Sequence, residues 1–207
     1  MGIEYLGGCI INDNYPQFGK GDVGTWAPEV WDNIIKKYKI KSVIDVGCGA
    51  GHSLKYFIDK GLESIGIEGY LPAIESSIVK DNIKIHDYTL DKFIPNKKYD
   101  MSWCCEFVEH VEEKYLHNFM KTFNESNLVA MTHALPGQPG HHHVNCKNAD
   151  YWIKIFNEYG FEYLEDYSIS LRDLLPDWNK NEPNFVPNGG HVKNTLMIFK
   201  KYEIDRK

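Results

Sequence analysis

The feature that most constrains this chain is a glycine-rich turn directly after an apolar run. Residues 43–52 read Val-Ile-Asp-Val-Gly-Cys-Gly-Ala-Gly-His, and a helical pattern follows at once. Glycine lacks a Cβ atom and so permits tight turns, and the start of a helix presents unpaired N–H groups to a ligand. The run therefore predicts a buried strand, a turn and a helix N-terminus that together face a ligand.

Two other interpretations of this turn have to be weighed. An ordinary strand-to-helix connection would need no ligand at all. A dinucleotide-binding turn would place its third glycine three positions after the second. That position is His52 here, and the additional glycine is Gly51. The spacing therefore disfavours a dinucleotide.

Composition limits the class of protein. The 207 residues are enough for one domain with a full hydrophobic core, and the net charge is −6. The lysines are scattered among carboxylates, which disfavours a nucleic-acid partner. Five cysteines without a Cys-x-x-Cys pair, no basic-then-apolar leader and no apolar run of membrane-spanning length predict a reduced, cytoplasmic protein without a membrane span.

Strand and helix candidates alternate along the chain. Strands are predicted at 42–47, 64–68, 83–87, 99–105, 128–135, 161–168 and 195–200, and the last two could pair antiparallel. Such alternation predicts a mostly parallel sheet with helices on both faces and ligands beyond the carboxyl ends of the strands. We expect one domain over 1–207, with an N-terminal arm and helix over 1–40 and the core over 41–200.

Carboxylates follow the next two strands. Glu68 closes the second strand, 23 residues after Asp45, and a carboxylate there suits a ribose diol, with Gly69 leaving room for the ligand. The same geometry would serve a nicotinamide dinucleotide. Asp87 and Tyr88 follow the third strand, where a turn-forming aspartate is the alternative explanation.

The fourth strand is followed by Glu106 and by Glu109-His110-Val111. Four motifs now follow one another along the chain: Asp-x-Gly-x-Gly-x-Gly, Glu68, Asp87-Tyr88 and Glu-His-Val. In this order they resemble the motifs of the class I S-adenosylmethionine-dependent methyltransferases, and the resemblance covers residues 25 to about 200. The resemblance implies a Rossmann-like α/β fold with a seven-stranded, mostly parallel sheet whose last strand is antiparallel. It also implies S-adenosyl-L-methionine as cofactor and S-adenosyl-L-homocysteine as product. The cofactor-binding residues it implies are Asp45, Gly47, Cys48, Gly49, Glu68, Gly69, Asp87, Tyr88 and Glu106.

A second resemblance concerns the acceptor. Residues 135–137 (Leu-Pro-Gly), 143–145 (His-Val-Asn) and 151–153 (Tyr-Trp-Ile) are similar to a subgroup of these enzymes found beside sugar- and glycan-modifying genes. This similarity implies O-methylation of a sugar or glycan hydroxyl. The alternatives are methylation of another small molecule or of a protein, on nitrogen or oxygen, and a non-catalytic cofactor-binding module.

Three interpretations compete for His141, His142 and His143. They could join His133 and Cys146 as metal ligands, although the spacing matches no standard zinc finger. They could be a plain polar loop. We favour substrate binding and proton acceptance at the mouth of the pocket, and therefore expect no metal.

His110 is the predicted general base, because it follows the fourth strand close to the expected position of the methyl group. A solvent-facing histidine is the alternative. Glu109 or Glu106 could orient its ring, and His142 and His143 are further candidates for base or hydroxyl positioning. A small-molecule or glycan acceptor would contact the predicted substrate residues Trp26, His141, Arg172 and Trp178.

Overall fold

The computed structural model describes residues 5–6, 9–10, 23–177 and 189–202. Its strands are β1 (Tyr5–Leu6), β2 (Cys9–Ile10), β3 (Ser42–Val46), β4 (Glu63–Glu68), β5 (Ile83–Ile85), β6 (Tyr99–Cys104), β7 (Ser126–Met131), β8 (Phe161–Tyr163) and β9 (Met197–Lys201). Its α-helices are α1 (Pro28–Tyr38), α2 (His52–Asp59), α3 (Leu71–Ser76), α4 (Leu116–Phe123), α5 (Ala149–Glu158), α6 (Glu165–Arg172) and α7 (Gly190–Thr195).

A seven-stranded sheet organises the fold, with the strand order β5-β4-β3-β6-β7-β9-β8. Strands β3 to β7 pair in parallel, and β9 runs antiparallel to both β7 and β8. The predicted α/β sheet with an antiparallel last strand is therefore confirmed. The chain runs outward from β3 through β4 to β5 and then returns to the other side of β3 as β6. Ligands bind at such a reversal of strand order, beyond the carboxyl ends of the strands.

Each side of the sheet carries its own hydrophobic cluster, because successive side chains of a strand point to opposite faces. In β7, Leu128 and Ala130 join the cluster around Trp31 and Trp103. Val129 and Met131 join the other, where α4 and α5 pack. Burial on both faces explains why these strands read as nearly continuous apolar runs.

Helix α1 covers one face of the sheet through its apolar side. Pro28 occupies its first turn, where a missing N–H costs nothing. Trp31 is fully buried and meets Trp103 edge to face with ring centroids 5.6 Å apart. The helix expected before residue 41 is therefore present.

Three predicted strands are too long, and the third strand, predicted over 83–87, ends at Ile85. The fifth ends at Met131, where its pairing with β9 also ends, and Thr132 turns its hydroxyl towards Glu106 instead. The strand predicted over 161–168 ends at Tyr163 and is followed by α6. Residues 167–171 alternate apolar and polar, which imitates a strand, but Glu165 and Asp166 suit the first turn of a helix.

No α-helix within the described part of the chain is long and apolar enough to span a membrane. Trp178, a predicted substrate contact, lies outside the described residues.

Candidate active site

A cleft of about 380 Å³ opens where β3 and β6 lie side by side. Its walls come from the turn after β3, the segment after β6, the loop after β7 and helix α7. The lining residues are Thr25, Asp45, Gly47, Cys48, Gly49, Ala50, His52, Ser53, Trp103, Cys105, Glu106, His110, Gln138, Pro139, Gly140, His143 and His191. The predicted position of the ligand site, beyond the first strand, therefore coincides with the cleft.

The glycine turn brings bare backbone to this cleft. The backbone N–H groups of Gly47 and Cys48 both donate to the Ile67 carbonyl, which fixes the turn against β4. Gly49 has a φ of 54°, and a Cβ atom there would meet nothing within 4 Å. Gly49 thus presents backbone to open space, as a close approach to a ligand requires.

Asp45 is 1% exposed and lies at the end of β3, beneath the turn on the side away from the solvent. Its Oδ2 accepts a 2.5 Å hydrogen bond from the Ser53 hydroxyl in the first turn of α2. Burial is the main cause that raises the pKa of Asp45, the Ser53 hydrogen bond lowers it, the charge of Glu68 raises it, and the net pKa is about 7. Asp45 therefore joins β3 to α2 across the turn.

Glu68, at the end of β4, lines a second, smaller pocket with Gly69, Asp87 and Tyr88. Its Oε2 accepts from the Gly49 N–H at 2.8 Å and its Oε1 from the Tyr70 N–H at 2.7 Å. A carboxylate offers about four lone-pair directions, so acceptor capacity remains for ligand hydroxyls. Burial raises the pKa of Glu68, and these backbone hydrogen bonds oppose the shift.

The smaller pocket, about 10 Å³, is narrow in this conformation. Phe107 borders it and also covers Gly47, where a Cβ atom would overlap the ring. Asp87 Oδ1 accepts from the N–H and hydroxyl of Thr89, so it shapes a turn as well as lining the pocket. The hydroxyl of Tyr88 points into the core and meets Thr122.

Glu106 occupies the opposite wall of the cleft. Its φ of 52° is unusual for a residue with a Cβ atom. Its backbone N–H donates to the Thr132 hydroxyl, which in turn donates to Glu106 Oε1 at 2.8 Å. Glu106 Oε2 lies 3.4 Å from Nδ1 of His191 on α7. This arrangement joins the ends of β6 and β7 to α7.

Glu109, His110 and His143 form a cluster beside the same wall. A 3₁₀ turn over Val108–His110 supplies the first two, and the loop after β7 supplies His143. One potential metal-ligand atom from each lies within 4.8 Å of the others. The two imidazole rings meet edge to face with centroids 5.1 Å apart. His133 and Cys146 are not part of this group.

The cluster is poor in hydrogen bonds. Glu109 is fully buried, and neither of its carboxylate oxygens meets an N–H or O–H donor in the residues described. Nδ1 of His110 is likewise buried and without a partner among them. A hydrogen bond donated by the His110 ring to Glu109, through which Glu109 could orient that ring, is therefore not formed in this conformation.

Burial governs the protonation of this cluster. It lowers the pKa of His110 to about 4, helped by the charge of His143 and opposed by hydrogen bonding to the backbone of His142 and His141. Burial, and then the neighbouring Glu106 carboxylate, hold the pKa of Glu109 well above its usual range. His110 is therefore neutral at pH 7, the form that accepts a proton or binds a metal.

The remaining predicted residues lie elsewhere. His141, His142, Trp26 and Arg172 are not among the described residues that line the cleft. Trp26 is 37% exposed and packs edge to face on Trp31. Gln138, Gly140 and His191 also line the cleft, although they were not predicted individually. Their segments were: the sequence places 132–149 on the ligand side of the sheet, and 172–194, which contains Gly189-Gly190-His191, is a candidate rim of the pocket.

Comparison with known proteins agrees with this geometry, although no family model matches the chain. The chloroplastic tocopherol O-methyltransferase of Arabidopsis thaliana is 30% identical over 178 residues, covering 72% of this chain and 49% of that protein. The chain thus spans about half the length of this relative.

Among solved structures, the methyltransferase domain of bacterial CtHen1-C superposes with a TM-score of 0.59 at 16% identity, covering 88% of this chain and all of that one. The plantazolicin methyltransferase BpumL, in complex with SAH, gives 0.57 at 13% identity, covering 92% and 87%. The fold is thus that of the class I methyltransferases. The sequence relationship to an O-methyltransferase agrees with this fold, and together they support S-adenosylmethionine as the cofactor.

Proposed function

We propose that this chain is an S-adenosylmethionine-dependent O-methyltransferase, with a sugar or glycan hydroxyl as the acceptor. The observation that carries the proposal is the shared cleft. Open backbone at Gly49, hydrogen-bonded to Glu68, lines one side of it, and the imidazoles of His110 and His143 line the other.

The cofactor half of the proposal rests on the fit of the residues present. Glu68 retains acceptor capacity for two ribose hydroxyls, and Gly69 adds no side chain beside it. The absence of a Cβ atom at Gly49 leaves space for the ligand. When bound, the cofactor supplies a sulfonium-activated methyl group.

The acceptor half rests on positioning. Methyl transfer is an in-line displacement, so holding the donor carbon and the acceptor oxygen close and collinear supplies on the order of 7–11 kcal/mol. Gln138 and His191 line the cleft and offer hydrogen bonds to hydroxyl groups. Trp26, His141 and Arg172 do not line the cleft, so the proposed acceptor site does not include them.

A hydroxyl must also lose its proton. In this proposal His110 or His143 accepts it, and such a base contributes roughly 10²–10⁴-fold to the rate. Both side chains reach the cleft. Glu106 lies on the same wall, with its Oε2 3.4 Å from Nδ1 of His191.

A phenolic hydroxyl is the second candidate acceptor. The sequence relationship to a tocopherol O-methyltransferase favours it. The two candidates differ in acceptor chemistry and share the cofactor site.

The test is incubation of the purified chain with methyl-labelled S-adenosylmethionine and separate panels of monosaccharides, oligosaccharides and phenols, with products measured by mass. We expect label in the sugar panel. Label confined to phenols would replace the sugar proposal with the second candidate. Cofactor binding without transfer to either panel would contradict the proposed acceptor classes.

A further inference from the structure

We propose that Glu109, His110 and His143 together bind one divalent transition-metal cation beside the cleft. Binding of the cation does not depend on the proposed activity. Its role in methyl transfer rests on the proposed function.

The first support is geometric. Potential ligand atoms of the three side chains already lie within 4.8 Å of one another. A tetrahedral site with bonds near 2.1 Å has ligand atoms roughly 3.4 Å apart. Small side-chain rotations therefore suffice to close the group around an ion.

The second support is the missing hydrogen bonds. Glu109 is fully buried, and its carboxylate oxygens meet no donor within the described ranges. Nδ1 of His110 is in the same condition. Buried polar groups are almost always paired. A cation would satisfy these atoms at once.

The third support is the way in which neighbouring residues hold the His143 ring. Its Nδ1 lies 3.2 Å from the Gln138 carbonyl oxygen. Because a carbonyl only accepts, Nδ1 carries the proton and Nε2 keeps its lone pair, the arrangement typical of metal-binding histidines. Gly140 lies against the imidazole so closely that a Cβ atom would overlap it.

The backbone joins the two ligand-bearing segments. The Glu109 carbonyl accepts hydrogen bonds from the N–H groups of Val144 at 2.9 Å and Asn145 at 3.0 Å. These bonds hold the loop that carries His143 against the turn that carries Glu109 and His110. Main-chain hydrogen bonds therefore join the two segments that carry the donors without an ion.

The donor chemistry indicates the kind of ion. Two imidazoles and one carboxylate suit Zn²⁺, Co²⁺, Mn²⁺ or Fe²⁺, whereas Ca²⁺ and Mg²⁺ prefer oxygen-only sites. Three protein ligands leave coordination positions open. If the proposed function holds, an acceptor hydroxyl bound to the ion would ionise more readily and lose its proton to solvent. In the metal-loaded protein the ion would therefore replace His110 and His143 as the group that activates the hydroxyl.

The test uses Co²⁺ as the probe, because its visible absorption reports coordination. The full chain is treated with EDTA, dialysed and titrated with CoCl₂ without cofactor or acceptor. We expect one Co²⁺ per chain, and at least tenfold weaker binding in Glu109→Gln and in His143→Gln. His117→Gln is the matched control, since His117 is exposed and contacts Tyr159 instead.

Gly140→Ala tests whether weaker Co²⁺ binding could come from unfolding rather than from loss of a ligand. It removes no ligand but displaces His143, so it should also weaken Co²⁺ binding in a chain whose circular dichroism is unchanged. Absence of stoichiometric Co²⁺ binding by the parent chain, or equal affinity in Glu109→Gln, His143→Gln and the parent, would overturn the site. Because no cofactor is present, these outcomes stand whether or not methyl transfer is observed.

Discussion

The carboxylate of Glu68 accepts a 2.8 Å hydrogen bond from the backbone N–H of Gly49. This contact ties the carboxyl end of β4 to the turn after β3. The two features that the sequence places 19 residues apart thus form one structure, with an anionic group held beside exposed backbone. That pairing is the physical basis of the cofactor assignment.

Glu68→Gln should weaken binding of S-adenosylhomocysteine about 10- to 100-fold. The substitution keeps the shape but removes charge-assisted hydrogen bonds, each worth about 1.5–3 kcal/mol. Isothermal titration calorimetry measures the change. Glu63→Gln is the control, since Glu63 begins the same strand and forms an exposed ion pair with Lys97. Equal affinities in both variants would remove Glu68 from the site.

Gly49→Ala and Gly61→Ala form a matched pair. Both glycines have positive φ, 54° and 78°, and a Cβ atom at either meets nothing within 4 Å. Both variants should therefore lose similar stability, on the order of 1–2 kcal/mol, from backbone strain alone. Only Gly49→Ala should also weaken S-adenosylhomocysteine binding, because its methyl group enters the cleft. Comparable affinity in the two variants would contradict this account of the turn.

The ligand-free protein should lose stability as the pH rises from about 4 to 7. The pKa of Asp45 rises from 3.8 to about 7 on folding, so the folded state binds more protons across this window. Stability then falls with pH by up to about 1.4 kcal/mol per pH unit, and levels off above the folded pKa. The raised pKa values of Glu68 and Glu109 act in the same direction.

Asp45→Asn should flatten this dependence and stabilise the ligand-free chain at pH 8 relative to the parent. Urea denaturation at pH 5 and pH 8 gives the two free energies of unfolding. Asp59→Asn, on the exposed end of α2, is the control. A slope in Asp45→Asn equal to that of the parent would show that the Asp45 carboxyl does not carry the effect.

His143→Gln should lower turnover roughly 10²–10⁴-fold and leave S-adenosylhomocysteine affinity unchanged. The cofactor residues lie on the other side of the cleft, so the two measurements separate. His117→Gln should alter neither. A loss of cofactor affinity as large as the loss of turnover would place His143 in the cofactor site instead.

Local signals sufficed for most of the sheet. Apolar runs ending in glycine or a carboxylate marked β3, β4 and β6, because parallel strands are buried on both faces. The end of β8 could not be predicted from such local signals. Apolar residues alternate with serines at Tyr167, Ile169 and Leu171, and this pattern fits a strand as well as a helix. Packing of Leu171 into the core decides for α6.

The candidate site, too, could be predicted from the sequence only in part. The cofactor turn was predictable because its residues are close in sequence and its backbone needs glycine. The contact of Glu106 with His191, 85 residues later, depends on β9 and α7 returning beside β7. The complete burial of Glu109 likewise follows from the tertiary fold rather than from its neighbours in sequence.

The most direct test is a crystal structure of the chain with S-adenosylhomocysteine. We predict the adenosyl group over the glycine turn, with both ribose hydroxyls within hydrogen-bond distance of the Glu68 carboxylate and Phe107 moved away from Gly47. The compound bound elsewhere, or a ribose that does not contact Glu68, would contradict the account.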